Sequence, residues 1–81
     1  MKALPVAVLK TSPQTYFSDV ENLLELAEFD RVIKPDFPIV LKINITWQEY
    51  YPSCSTPPWQ LDAVLRELKK REFKEVHAVE N

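Results

Sequence analysis

Apolar residues alternate in three stretches of this chain and recur at helical spacing in two others. Residues 4–9 hold the β-branched Val6 and Val8 and read as a first strand, closed by the polar Lys10-Thr11-Ser12-Pro13. Ser18-Asp19-Val20-Glu21 fits a capping box, so a helix is expected to start near Ser18, or one turn earlier with Tyr16 and Phe17. Val20, Leu23, Leu24 and Ala27 then give its apolar stripe, which runs out around Phe29 or Asp30. Residues 31–38 are a connector, with Val32 and Ile33 expected under the sheet and turn chemistry in Lys34-Pro35-Asp36.

Residues 39–45 form the second expected strand. Ile39, Leu41, Ile43 and Ile45 face one way, and Val40, Lys42 and Asn44 the other. A long aromatic and hydroxyl-rich loop over 46–56 follows, with Trp47, Tyr50 and Tyr51. Thr56 is the expected N-cap of a second helix opening on Pro57-Pro58. Its stripe is Leu61, Val64, Leu65 and Leu68, with Asp62–Arg66 and Glu67–Arg71 as i, i+4 ion pairs. Lys69-Lys70-Arg71 suits the negative end of that helix. Residues 74–80 are the third strand, Val76 and Ala78 on one side, His77 and Val79 on the other.

The order strand, helix, strand, helix, strand predicts an α/β fold: a three-stranded, mostly parallel sheet with two helices and right-handed crossovers. Either the second strand or the first is central. Two helices leave part of a parallel sheet bare, although such sheets normally have both faces covered. The expectation is one α/β unit over residues 1–81 that belongs to the N-terminal part of a larger domain, or that self-associates.

Composition narrows the classes. A net charge of -2 offers no electrostatic claim on nucleic acid or an anionic membrane. No apolar run approaches membrane-spanning length. The N-terminal apolar stretch contains Pro5 and has no cleavage signature, so a strand is preferred to a signal peptide. The single cysteine forms no internal disulfide and builds no thiolate zinc or iron–sulfur site from this segment alone. A reducing, cytoplasmic setting is expected. The chain has no glycine, so no glycine-rich phosphate loop exists and turns are left to Pro, Asp, Asn and Ser.

In open parallel sheets, ligands bind beyond the C-terminal ends of the strands. That rim is expected to gather Lys42, Asn44, Ser55, Thr56 and Glu80. Lys42 and Asn44 are polar on one strand face and could hold a carboxylate or phosphate; equally, Lys42 could pair with Asp36, Glu49 or Glu80 while Asn44 fixes the loop. Ser53, Ser55 and Thr56 sit at a helix start, but Pro57 and Pro58 delete two of its free N–H groups, which favours plain capping. Cys54 is a candidate thiol nucleophile without a visible base, since His77 is the only histidine and lies on the third strand. One histidine makes no metal site.

Leu41-Lys42-Ile43-Asn44-Ile45-Thr46-Trp47, followed by Pro52-Ser53-Cys54-Ser55-Thr56-Pro57-Pro58-Trp59-Gln60-Leu61, resembles the family known as domain of unknown function 362. Lys42 and Asn44 match the ends of that family's Lys-Pro-Asn-like triplet, with Ile43 in place of the proline. Thr56-Pro57-Pro58 matches its helix start, and Glu80 the acidic residue after its third strand. Glu72 and Asp36 stand in turns where members often carry glycine. The resemblance covers the first part of a typical member and implies a Rossmann-like half domain with no assigned activity. It carries over no iron–sulfur cluster, since the cysteines are missing.

Three functions are compatible with these features. The first is a truncated ligand-binding or catalytic domain with an anionic small-molecule site. The second is a non-catalytic module that binds the remainder of a longer chain, or a second copy, through a bare sheet face. The third is a thiol enzyme using Cys54.

Overall fold

A computed structural model of the chain describes residues 5–45 and 55–80. It divides into two compact units, Met1–Lys34 and Pro35–Asn81.

The first unit is helical. α1 spans Tyr16–Leu26 and a single turn, α2, spans Phe29–Val32. Thr15 is the N-cap, so Ser18 lies inside the helix, where its hydroxyl donates to the Thr15 carbonyl at 3.0 Å. The expected capping box is therefore not formed at Ser18, and Asp19 instead accepts from hydroxyls that precede the helix. Thr15 and Thr11 donate to the Asp19 Oδ2 atom at 2.6 and 2.7 Å. These bonds, that from Thr15 above that from Thr11, hold the Asp19 carboxyl below its ordinary value, because they favour the ionised form. α1 ends at Ala27, and Glu28 adopts the left-handed region at φ 58. Arg31 returns to Glu28 at 3.1 Å across the turn that becomes α2. α2 lies where a plain connector was expected, and Val32 is exposed rather than tucked away.

The second unit is β1 (Ile39–Ile43), α3 (Pro58–Lys70) and β2 (Val76–Glu80). β1 and β2 are parallel, with Ile39 beside Val76 and Ile43 beside Glu80. Parallel neighbours need a long crossover, and α3 supplies it. The faces of β1 separate as the period of two requires: Ile39, Leu41 and Ile43 are half-buried while Val40 and Lys42 are exposed.

The expected three-stranded, mostly parallel sheet with two helices is corrected to two parallel strands and three helices among the described residues. The lost strand is the first. Residues 5–9 have no strand pairing, and Val6 and Val8 are 89% and 87% exposed. Alternating β-branched residues make a chain ready to be a strand, but a strand exists only against a neighbour. Without its third strand the unit is a single βαβ element, and the Rossmann-like half domain has no counterpart here. The expected loop with Trp47, Tyr50, Tyr51 and Cys54 lies outside the described residues.

α3 buries Ala63 and Leu68 at 1% and 2% exposure, and with them Glu67 at 5%. Leu61 and Val64 are half-buried, but Leu65 is exposed, so the buried face is turned away from the expected stripe toward Ala63 and Glu67. A long acid is tolerated there because Arg71 donates to Glu67 Oε1 and Lys70 lies 3.2 Å from Oε2.

The helix closes in a Schellman motif. The Glu72 amide donates to the Lys69 carbonyl at 3.0 Å and the Phe73 amide to that of Leu68 at 3.1 Å. The position between them needs φ > 0, and Glu72 takes it at φ 65 in a chain without glycine. A left-handed residue with a Cβ costs roughly 1–2 kcal/mol, partly offset by the roughly 0.4–1 kcal/mol that glycine loses through its freer unfolded chain. Glu72→Gly is therefore expected to stabilise the protein by about 0.5–1 kcal/mol. Urea denaturation would register a higher midpoint, and Glu72→Ala should give none of that gain.

Candidate functional site

The site begins with strand periodicity. Lys42 and Asn44 are two residues apart, so both side chains leave β1 on its exposed side. Lys42 Nζ donates to Asn44 Oδ1 at 2.6 Å. An ammonium only donates, so the amide oxygen is the acceptor in this bond and the amide NH2 stays available as a donor. The pair thus offers the remaining ammonium hydrogens, the amide hydrogens and one positive charge, with one lone pair left on the amide oxygen. A surface dominated by donors and a cation suits an anion.

Backbone hydrogen bonds hold this pair in place. The Asn44 amide donates to Thr56 Oγ1 at 3.0 Å, and the Thr56 amide donates back to the Asn44 carbonyl at 2.8 Å. The end of β1 is thereby clamped to the segment that opens α3. Thr56 spends its hydroxyl lone pair on β1, and the N-cap is Pro57 rather than Thr56. Ser55, next to it, is buried. The amides of Gln60 and Leu61 both turn back to the Pro57 carbonyl, at 3.0 and 3.2 Å, so they build no anion cradle.

The structure therefore gathers Lys42, Asn44, Ser55 and Thr56 at the exit end of β1. Glu80 ends β2 opposite Ile43, on the sheet face away from Lys42 and Asn44. Cys54 lies outside the described residues. His77 is exposed and sits 3.3 Å from Glu75. Among the described residues, no group of three or more His, Cys, Asp or Glu side chains is placed to hold a metal ion, and no helix is long and apolar enough to cross a membrane.

Sequence reasoning expected part of the sheet to be bare but did not name the residues of both strands that share the open face. The register puts Val40 beside His77 and Lys42 beside Val79, so these four share one side of the sheet. Val40 is 65% exposed and Val79 43%. The signal was present: a valine next to Lys42 on a strand whose other face is uniformly apolar.

No family model matches the chain, and comparisons with curated proteins and with solved structures found no match either.

Proposed function

We propose that the βαβ unit binds an anionic small molecule, a carboxylate or a phosphate, at the rim where β1 ends, as part of a ligand-binding or catalytic domain. The observation that carries this is the Lys42–Asn44 bond, which uses the amide oxygen and leaves the amide hydrogens and the rest of the ammonium to meet a ligand. Thr56 and Ser55 hold the rim, and Lys42 with Asn44 meets the ligand. The resemblance to the domain of unknown function 362 family supports the same placement, since these two residues occupy the ends of that family's triplet.

Titration with inorganic phosphate and with acetate, followed by amide chemical shifts, tests it. Lys42→Ala is expected to weaken binding about tenfold, the loss of one charge-assisted hydrogen bond. Asn44→Ala should weaken it less. Binding that is unchanged in Lys42→Ala, or shifts that leave residues 42–44 untouched, would remove the reading.

A second reading is favoured by the exposure of Val40 and Val79 on a bare sheet face. Parallel sheets seldom leave a face to water. On this reading the unit is a non-catalytic interaction module that self-associates.

A further inference from the structure

The open face of the two-stranded sheet is charged at one end and apolar behind it. Lys42 Nζ lies 2.6 Å from Asn44 Oδ1, so the positive charge sits at the Asn44 end of β1. Behind it, Val79 stands beside Lys42 and Val40 beside His77, and both valines are exposed. Paired strands lie about 4.8 Å apart, and two residues along a strand span about 6.7 Å, so both valines adjoin the Lys42 stem. That stem is itself apolar up to its ammonium. A cationic head and an apolar track on one face complement a molecule with an anionic head and an apolar tail.

We propose that the ligand is a monocarboxylate on a short aliphatic chain, its carboxylate at Lys42 and Asn44 and its chain lying over Val79 and Val40. The proposal rests on the anion-site reading and adds to it the class of ligand. Charge decides the head group. One ammonium balances one negative charge, whereas a phosphate group carries about −1.5 to −2, and the protein as a whole already carries -2. A carboxylate also brings two oxygens, one for the ammonium and one for the amide NH2. Register sets the tail. Val40 lies about 6.7 Å from Lys42 along β1, a distance that roughly five carbon–carbon bonds cover. Beside Val40, His77 lies 3.3 Å from Glu75, so a second negative group at that end would meet a like charge. Stacking a second copy on this face would bury two Lys42 ammonium groups, which a small anion neutralises instead.

Titrations with sodium acetate, butyrate and hexanoate at constant ionic strength, followed by amide chemical shifts, test the tail. A methylene laid on an open face gains about half of full burial, or roughly twofold in affinity. Hexanoate is therefore expected to bind about fifteenfold more tightly than acetate, and to move the amides of Val40 and Val79 as well as those of residues 42–44. The double variant Val40→Thr with Val79→Thr keeps β-branching at both exposed positions and so preserves the strands, which circular dichroism confirms. In it the ratio of hexanoate to acetate affinity should fall below about fivefold. Hexanoate that binds no more tightly than acetate, while both move residues 42–44, overturns the proposal and leaves the anion site standing. A ratio unchanged in the double variant, or inorganic phosphate bound more tightly than hexanoate, overturns it as well. Acetate and hexanoate that both leave residues 42–44 unmoved remove the anion site itself, and the proposal with it.

Discussion

Leu68→Ala should cost about 2–5 kcal/mol, the range for removing a fully buried leucine and leaving its space unfilled. Leu68 is the largest side chain buried below 2% in the described chain. It also sits where α3 closes, and its carbonyl accepts the Phe73 amide. A domain of this length has a total stability of roughly 4–12 kcal/mol, so the substitution removes a large share of it. With a urea m-value of about 1 kcal/mol/M, the unfolding midpoint should fall by about 2 M or more, or the variant should be unfolded in buffer. A drop below about 0.5 M would mean that Leu68 is not at the centre of the core.

Glu67 and Arg71 give the second large effect, and its sign depends on whether one partner or both are changed. Glu67 is buried and Arg71 nearly so, with exposures of 6% and 11% for their side chains. Removing one member of a buried pair costs roughly 3–5 kcal/mol, because the other charge is left without compensation. Here Lys70 stays beside the carboxylate but is half exposed, which softens the loss. Arg71→Ala is expected to destabilise by about 2–3 kcal/mol. Replacing both partners together, Glu67→Met with Arg71→Met, removes the buried charges and keeps the volume, and is expected to be neutral or stabilising by about 1 kcal/mol. Denaturation of the two variants side by side checks this. Equal losses in both would show that the ion pair itself, and not the cost of an orphaned carboxylate, dominates.

α3 was legible because several levels of signal agree: prolines at the start, an apolar stripe, and basic residues at the end. β1 and β2 were legible for the same reason, apolar runs bounded by turn residues. The first strand was misread because residues 5–9 satisfy the local pattern and nothing in a pattern says whether a partner strand stands beside it. The end of α1 and the left-handed closure of α3 were hidden for a different reason. Left-handed closures are normally signalled by glycine, and here Glu28 and Glu72 adopt them. Only the family resemblance marked Glu72 as standing where glycine is usual. Within the site, the shared face of Lys42 and Asn44 follows from spacing alone. The clamp between Asn44 and Thr56 does not, since Thr56 was expected to cap its own helix and instead serves the strand. Burial of Glu67 was likewise invisible, because an i, i+4 ion pair reads the same on a wet face as on a dry one.

The parallel pairing also sets an order of events during folding. The first rung of the sheet joins Ile39 to Val76, roughly 37 positions apart, whereas the Asn44–Thr56 link spans only 12. Closing the longer loop costs about 1 kcal/mol more in chain entropy. The strand exit and the start of α3 can therefore meet while β2 is still unpaired. On loop entropy alone, the strand pairing is the costlier of the two contacts to close.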